Sequence, residues 1–231
     1  MNRSLTNVIR WAMDELVPPV IRDSRAFMWP FYCLAYRTVR PGPYMRFKSD
    51  VWRMTEDQYA DFYRNLDSIS RNRQTDNNEA CLRRIVAECG DAFSVLDVGC
   101  GKGYVLDRIA AANAGARLVG VDLLDSVPDA SFSYVQAPAS RLPFGDGEFE
   151  VVVCTHVIEH LPSPEQVMKE LVRVASGKVI VVTPRQRPYF HTLDEHINFF
   201  LYREELSRLV PEDCAAKLEN LGGDWYMEIS L

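Results

Sequence analysis

VLDVGCGKGY, residues 95–104, reads as the end of a strand, a glycine-rich turn and the start of a helix. An apolar run over 94–98 gives way to Gly99, Gly101 and Gly103, and a helical pattern follows over 104–112. A second apolar run, RLVGVDLL at 117–124, carries the carboxylate Asp122 at its tip. Strand, tight turn, helix, strand and terminal acid together suit a nucleoside. Glycines let backbone approach the ligand, a helix start offers N–H groups without intrahelical partners, and the acid accepts hydrogen bonds from ribose hydroxyls.

The spacing narrows the ligand. A dinucleotide site uses G-x-G-x-x-G beneath a pyrophosphate. Here the pattern is G-C-G-K-G, with Asp97 two residues before it. An acid beside the turn opposes a pyrophosphate and suits a ligand bearing an ammonium or sulfonium group. On these residues, Asp97-Val-Gly-Cys-Gly-Lys-Gly103 and Asp122, the chain resembles the class I S-adenosylmethionine-dependent methyltransferases. Leu142-Pro-Phe144, Phe149-Glu-Val-Val-Val153, Ile158-Glu-His-Leu161 and the stretch 196–206 extend the resemblance over residues 75–231.

The resemblance implies an α/β, Rossmann-like sheet of seven strands. The sheet is mostly parallel, has helices on both faces and closes with an antiparallel C-terminal hairpin. It implies S-adenosyl-L-methionine as cofactor and S-adenosyl-L-homocysteine as product. Asp97 is expected to face the methionine ammonium, Gly99, Cys100, Gly101 and Gly103 to present backbone, and Asp122 to hold the ribose. Leu123, Ser140, Leu142 and Thr155 complete the expected cofactor set. One position departs from the pattern. Where similar enzymes carry an Asp four residues before Leu-Pro-Phe, this chain has Pro138, so adenine is left to Ser140 or Gln136.

The chain has four histidines, in two pairs: His156 and His160 after the fourth expected strand, His191 and His196 after the fifth. Ligands of open α/β sheets bind beyond the carboxyl ends of the strands, and a histidine can take a proton from an attacking hydroxyl or amine. His156 and His160 are therefore the candidate catalytic residues, and His196 is expected to brace a loop. HVIEH at 156–160 also matches an inverted zinc-protease pattern, but that pattern needs both histidines on one helix, and this one begins at a strand end. No metal is expected.

With 231 residues, 47% of them apolar, the chain is long enough for one large α/β domain and an appendage. Formal net charge is −6, which gives no sign of nucleic-acid binding. Residues 1–75 hold 12 Lys/Arg against 8 Asp/Glu, and the remainder holds 14 against 24. The six cysteines form no CxxC and read as reduced thiols of a cytoplasmic protein. No leader peptide or membrane span is legible. A homodimer is compatible with the sequence.

The domain division is expected near residue 75. Before it come a helix over 5–16 stopped by Pro18-Pro19, an aromatic stretch over 27–36, a turn at Pro41-Gly42-Pro43, and a helix opened by the capping box Thr55-Glu-Asp-Gln58. A polar linker follows over 70–78, then a helix over 79–89. Strands are expected at 94–99, 117–122, 132–136, 149–154, 178–183, 215–219 and 225–230, and helices at 103–113, 164–175 and 202–210. Segment 1–75 is expected to form a helical cap over the active site. The whole predicts methyl transfer to an oxygen or nitrogen of a small-molecule acceptor. The alternatives are an RNA or protein acceptor, and a catalytically silent cofactor-binding subunit.

Overall fold

The computed structural model describes residues 12–13, 16–66, 74–123, 131–191 and 193–231. Most of the helix expected over 5–16, and residues 70–73 of the linker expected over 70–78, lie outside them. The chain forms two compact units. The first comprises Met1–Asp76 and Arg187–Ile197, the second Asn77–Gln186 and Asn198–Leu231.

The second unit is built on seven strands: β1 (Ser94–Val98), β2 (Arg117–Asp122), β3 (Ser133–Gln136), β4 (Phe149–Thr155), β5 (Ala175–Pro184), β6 (Ala215–Leu221) and β7 (Asp224–Ser230). They lie in the order β3-β2-β1-β4-β5-β7-β6. The first five pair in parallel, and β7 runs antiparallel to both β5 and β6. The sheet is thus the mixed, mostly parallel one that the sequence predicts. The strand order reverses between β1 and β4, and such a switch point opens a crevice for ligands.

Alternation along the strands divides the core. Val95, Val151, Val153, Ile180 and Val182 meet Leu82 and Ile85 of one helix (Glu79–Glu88) and Leu106 and Ile109 of another (Tyr104–Ala112). Leu96, Val98, Val152, Cys154, Val179 and Val181 meet Val167, Met168, Leu171 and Val174 of a helix on the other face (Pro164–Val174). Strands buried on both faces explain why the sequence shows near-continuous apolar runs.

The first unit holds the helices α1 (Pro19–Arg22), α2 (Arg25–Ala35), α3 (Gly42–Asp50) and α4 (Glu56–Arg64); the helices of the second unit are then α5 (Glu79–Glu88), α6 (Tyr104–Ala112), α7 (Pro164–Val174) and α8 (Arg203–Ser207). Thr55 and Gln58 form the expected capping box at α4. The expected turn at Pro41-Gly42-Pro43 is instead the start of α3, because proline fits the first turn of a helix, where its missing N–H has no partner to lose. The aromatic stretch is the helix α2, with Pro30 inside it on the exposed side.

Met28, Tyr32, Ala35, Tyr36 and Met45 form the core of this unit. The rings of Tyr36 and Tyr44 stack at 4.2 Å, and those of Phe47 and Phe62 at 4.3 Å. Segment 187–197, which the sequence assigns to the larger domain, belongs here. Tyr36 donates its hydroxyl to Glu195, Lys48 Nζ donates to the Tyr189 carbonyl at 2.6 Å, and the Phe190 N–H reaches Asp23 at 3.3 Å. Burial lowers the Lys48 ammonium to about 8. Burial also lifts the Glu195 carboxyl to about 8, against the Tyr36 hydrogen bond and with the Asp194 charge.

Packing in the second unit depends on glycines. A Cβ on Gly103 would lie 2.2 Å from the Phe132 ring, and the residue has φ +80°. Gly103→Ala is expected to destabilise the domain by about 1–3 kcal/mol, through both overpacking and a left-handed backbone. Urea unfolding with an unchanged m-value is the check, and a loss below about 0.5 kcal/mol would show that Phe132 yields freely.

Candidate active site at the sheet switch point

The turn between β1 and α6 has three left-handed glycines, Gly99 (φ +77°), Gly101 (+53°) and Gly103 (+80°). Their surroundings differ. A Cβ on Gly99 would meet Val157 at 2.1 Å, and one on Gly103 would meet Phe132, but one on Gly101 would meet nothing within 4 Å. Two of the glycines therefore let the protein close on itself, while Gly101 is exposed and leaves an approach to backbone. The Gly99 and Cys100 N–H groups bond the Val121 carbonyl at 2.7 and 3.0 Å, which ties the turn to β2. Gly103 is the N-cap of α6, so the first N–H groups of that helix open beside the turn.

Asp122 accepts from the Gly101 N–H at 2.8 Å, which brings two of the expected cofactor residues together directly. Asp97 is 1% exposed, and its Oδ1 has no hydrogen-bond partner among the described residues. Burial, reinforced by the Asp122 charge, pushes its carboxyl up to about 7. A buried carboxylate short of a partner, beside a cleft, is where a cationic group is stabilised.

The remaining expected contacts divide. The Cys100 side chain turns inward and is 8% exposed; its sulfur lies 2.7 Å from where a Gly120 Cβ would sit, so only its backbone borders the cleft. Leu123 follows β2, and its carbonyl accepts from Gln136 Nε2 at 3.1 Å, which engages one of the two side chains expected for adenine. Ser140 is half-buried, and its carbonyl lies 3.5 Å from Gln166 Nε2. Leu142 is a core residue whose N–H and carbonyl are held by Glu170 (2.8 Å) and Arg173 (3.1 Å) of α7, so it positions the loop through packing.

Thr155 ends β4, and its hydroxyl accepts from Asn77 Nδ2 at 2.9 Å. Asn77 is 7% exposed, and no local sequence signal marked it. Its neighbour Asn78 caps α5 by accepting from the Cys81 N–H at 2.9 Å, and reaches Asp224 at 2.9 Å. The N-terminus of α5, the tip of β4 and the start of β7 thereby meet around this end of the sheet.

His156 has φ +55°, a left-handed angle uncommon for a residue with a Cβ, and its N–H is held by the Val182 carbonyl at 2.8 Å. Its Nδ1 lies 3.3 Å from Glu159 and its Nε2 3.8 Å from Asp224. Glu159 is fully buried and accepts from Thr183 Oγ1 at 3.2 Å. Asn198 secures the same loop through the Ile158 and Leu161 carbonyls, at 2.9 and 2.7 Å. His160 is half-buried, at the end of this turn. His191 and His196 belong to the first unit, where His196 Nδ1 lies 3.3 Å from Asp194.

The raised Asp97 carboxyl has a stability consequence. Its proton is held in the folded state up to about pH 7 but lost near pH 4 in the unfolded chain, so stability from this group falls as pH rises through that window. Asp97→Asn, neutral at every pH, is expected to raise the melting temperature of the ligand-free protein at pH 8 and leave it unchanged at pH 4. Thermal unfolding at both pH values is the check, and equal melting temperatures at pH 8 would remove the buried charge.

Residues 96–182 match the methyltransferase domain family model. A probable S-adenosylmethionine-dependent methyltransferase of Mycobacterium tuberculosis is 33% identical over 135 residues, covering 55% of this chain and 48% of its own. A ubiquinone biosynthesis O-methyltransferase of Methylococcus capsulatus is 30% identical over 131 residues, covering 50% and 52%. The chain spans about half the length of these curated relatives. Among solved structures, the plantazolicin methyltransferase bound to S-adenosylhomocysteine and a substrate analogue superposes with a TM-score of 0.58 at 14% identity, over 81% of this chain and 96% of its own. The likenesses fall on the same elements as the geometry: the methyltransferase match over residues 96–182 takes in the glycine turn, Asp97 and Asp122, and the fold is that of the solved methyltransferase.

Proposed function

We propose that the protein moves the methyl group of S-adenosylmethionine to an oxygen or nitrogen of a small-molecule acceptor. The observation that carries this reading is the buried Asp97 carboxylate beside the open Gly101 backbone and Asp122. The donor set fits the cofactor. Asp97 suits its ammonium, Asp122 and the Gly101 backbone its ribose, and the exposed glycine leaves room for it. When bound, the cofactor supplies an electrophilic methyl group on sulfur. The protein's part is to orient the two reactants and exclude water, and orientation alone accounts for a large share of such an acceleration. The name of the Methylococcus relative, an O-methyltransferase, supports oxygen as the acceptor atom.

Asp97 must ionise to pair with the cofactor ammonium. Affinity for S-adenosylhomocysteine is therefore expected to be level above about pH 7 and to fall about tenfold per unit below it, with uptake of one proton on release. Asp97→Asn is expected to lose that pH dependence along with most of the affinity. Calorimetry across pH 5–8 is the measurement; a flat profile in the unsubstituted protein would assign the ammonium elsewhere.

The two histidines of the loop after β4 take different roles in this reading. Both His156 nitrogens face carboxylates, one in its own loop and one on β7, and its backbone N–H bonds Val182 of β5, so His156 is a positioning residue for this loop. His160 is the residue that takes the acceptor proton. His160→Ala is expected to lower kcat about 10²- to 10⁴-fold with KM little changed. His156→Ala is expected to lower thermal stability and raise KM while keeping most of kcat. The same assays with EDTA are expected to show unchanged turnover. Activity lost on chelation and restored by magnesium or zinc would give Glu159 a metal to hold.

A further inference from the structure

Helix α2 of the first unit is apolar all round. Met28, Tyr32 and Ala35 bury one side. The opposite side carries the row Ala26, Pro30 and Leu34 at four-residue spacing, with Trp29 on one flank and Phe31 on the other. Trp29, Phe31 and Leu34 are 39, 41 and 74% exposed. Twelve large apolar side chains are exposed among the described residues, and seven of them fall between 16 and 39, including Val20 (81%), Ile21 (45%) and Val39 (85%). An ordinary surface scatters such residues singly, whereas a concentration of them marks an interaction site.

Charge identifies the occupant. From residue 24 to 49 the chain has no Asp or Glu, but it carries Arg25, Arg37, Arg40, Arg46 and Lys48. The four arginines are exposed, and the Arg25 guanidinium lies 5.9 Å from the centre of the Trp29 ring. A second copy of the chain would set this basic face against itself. A nucleic acid would engage the arginines but leave Leu34, Val20 and Val39 in water. An anionic lipid surface satisfies both features. Aromatic and aliphatic side chains enter the boundary between headgroups and acyl chains, while arginines remain among the phosphates. Pro30 fits this placement, since it sits on the exposed side, where it removes an N–H from a helix whose neighbouring carbonyls can reach headgroup water. No helix among the described residues is long and apolar enough to cross a membrane, so the contact is peripheral.

We propose that α2 and its flanking segments dock the protein on an anionic membrane surface. The test is co-sedimentation of the full chain with vesicles of phosphatidylcholine alone and of phosphatidylcholine with about one third phosphatidylglycerol, an anionic content high enough to draw basic segments. Binding is expected on the anionic vesicles, with a blue shift of tryptophan fluorescence, and is expected to weaken steeply with salt. Leu34→Asp is expected to reduce binding about tenfold, and Arg37→Glu with Arg40→Glu by more. Both sets of residues are exposed, so circular dichroism and S-adenosylhomocysteine affinity are expected to match the unsubstituted protein. Three results would overturn the proposal: no binding to anionic vesicles, binding that Leu34→Asp leaves intact, or a dimer in light scattering or an RNA complex that Leu34→Asp abolishes without any vesicle binding.

Discussion

Around the turn after β1, three glycines leave no room for a side chain, and much of the second unit's architecture depends on that exclusion. At Gly99 the space belongs to Val157, at Gly103 to Phe132, and at Gly120 to Cys100 and Phe132. Through these contacts the turn after β1 touches the loop after β4, the start of α6 touches the segment before β3, and β2 closes under the turn. A methyl group at any of them would force these packed elements apart. Gly101, in the same turn, has no such neighbour. The filled glycines close the turn on its neighbours, while the open one leaves its backbone accessible.

Electrostatics at this end of the sheet oppose stability. Asp97 and Asp122 are like charges near one another, and one oxygen of Asp97 has no hydrogen-bond partner among the described residues. The fold keeps this cost because the surroundings are firmly set: β1 is flanked by β2 and β4, and α5 and α6 cover the face that Val95 shares. Strain at His156 has the same character. Its left-handed backbone is held by Val182, and two carboxylates from different elements lie near its ring, at 3.3 and 3.8 Å. Preorganised sites concentrate cost in this way when their frames are rigid.

The sheet was legible because doubly buried strands have uninterrupted apolar runs, and the runs end at glycines and acids. β1, β2 and β7 lie within a residue of their expected limits. β5 starts three residues early, since Ala-Ser-Gly-Lys carries no apolar run and joins the sheet through a register shift opposite Phe149 and Val151. α2 was not legible as a helix, because an interior proline normally breaks one, and only the burial of Met28, Tyr32 and Ala35 shows which side tolerates it. Gly101 and Asp122, singled out by spacing in the sequence, do meet in the structure. Asn77 on Thr155 and Asp224 near His156 were not legible, for they meet across 78 and 68 positions and leave no periodic trace. The four histidines, read together from their strands, divide between the two units.

Segment 187–197 gives the first unit a distant closing piece. Tyr36 and its acceptor Glu195 are 159 positions apart, and Lys48 and Tyr189 are 141 apart. During synthesis from the N-terminus, the helices are made first, yet their polar interior lacks partners until five strands of the other unit have emerged from the ribosome. At roughly 5–20 residues per second this is a wait of about ten to thirty seconds. High sequence separation also slows spontaneous closure, because the intervening loop must be ordered first. The aromatic helices α2–α4 are therefore among the last parts to finish folding, and in the interval their apolar sides are open to whatever surface, chaperone or neighbouring chain reaches them.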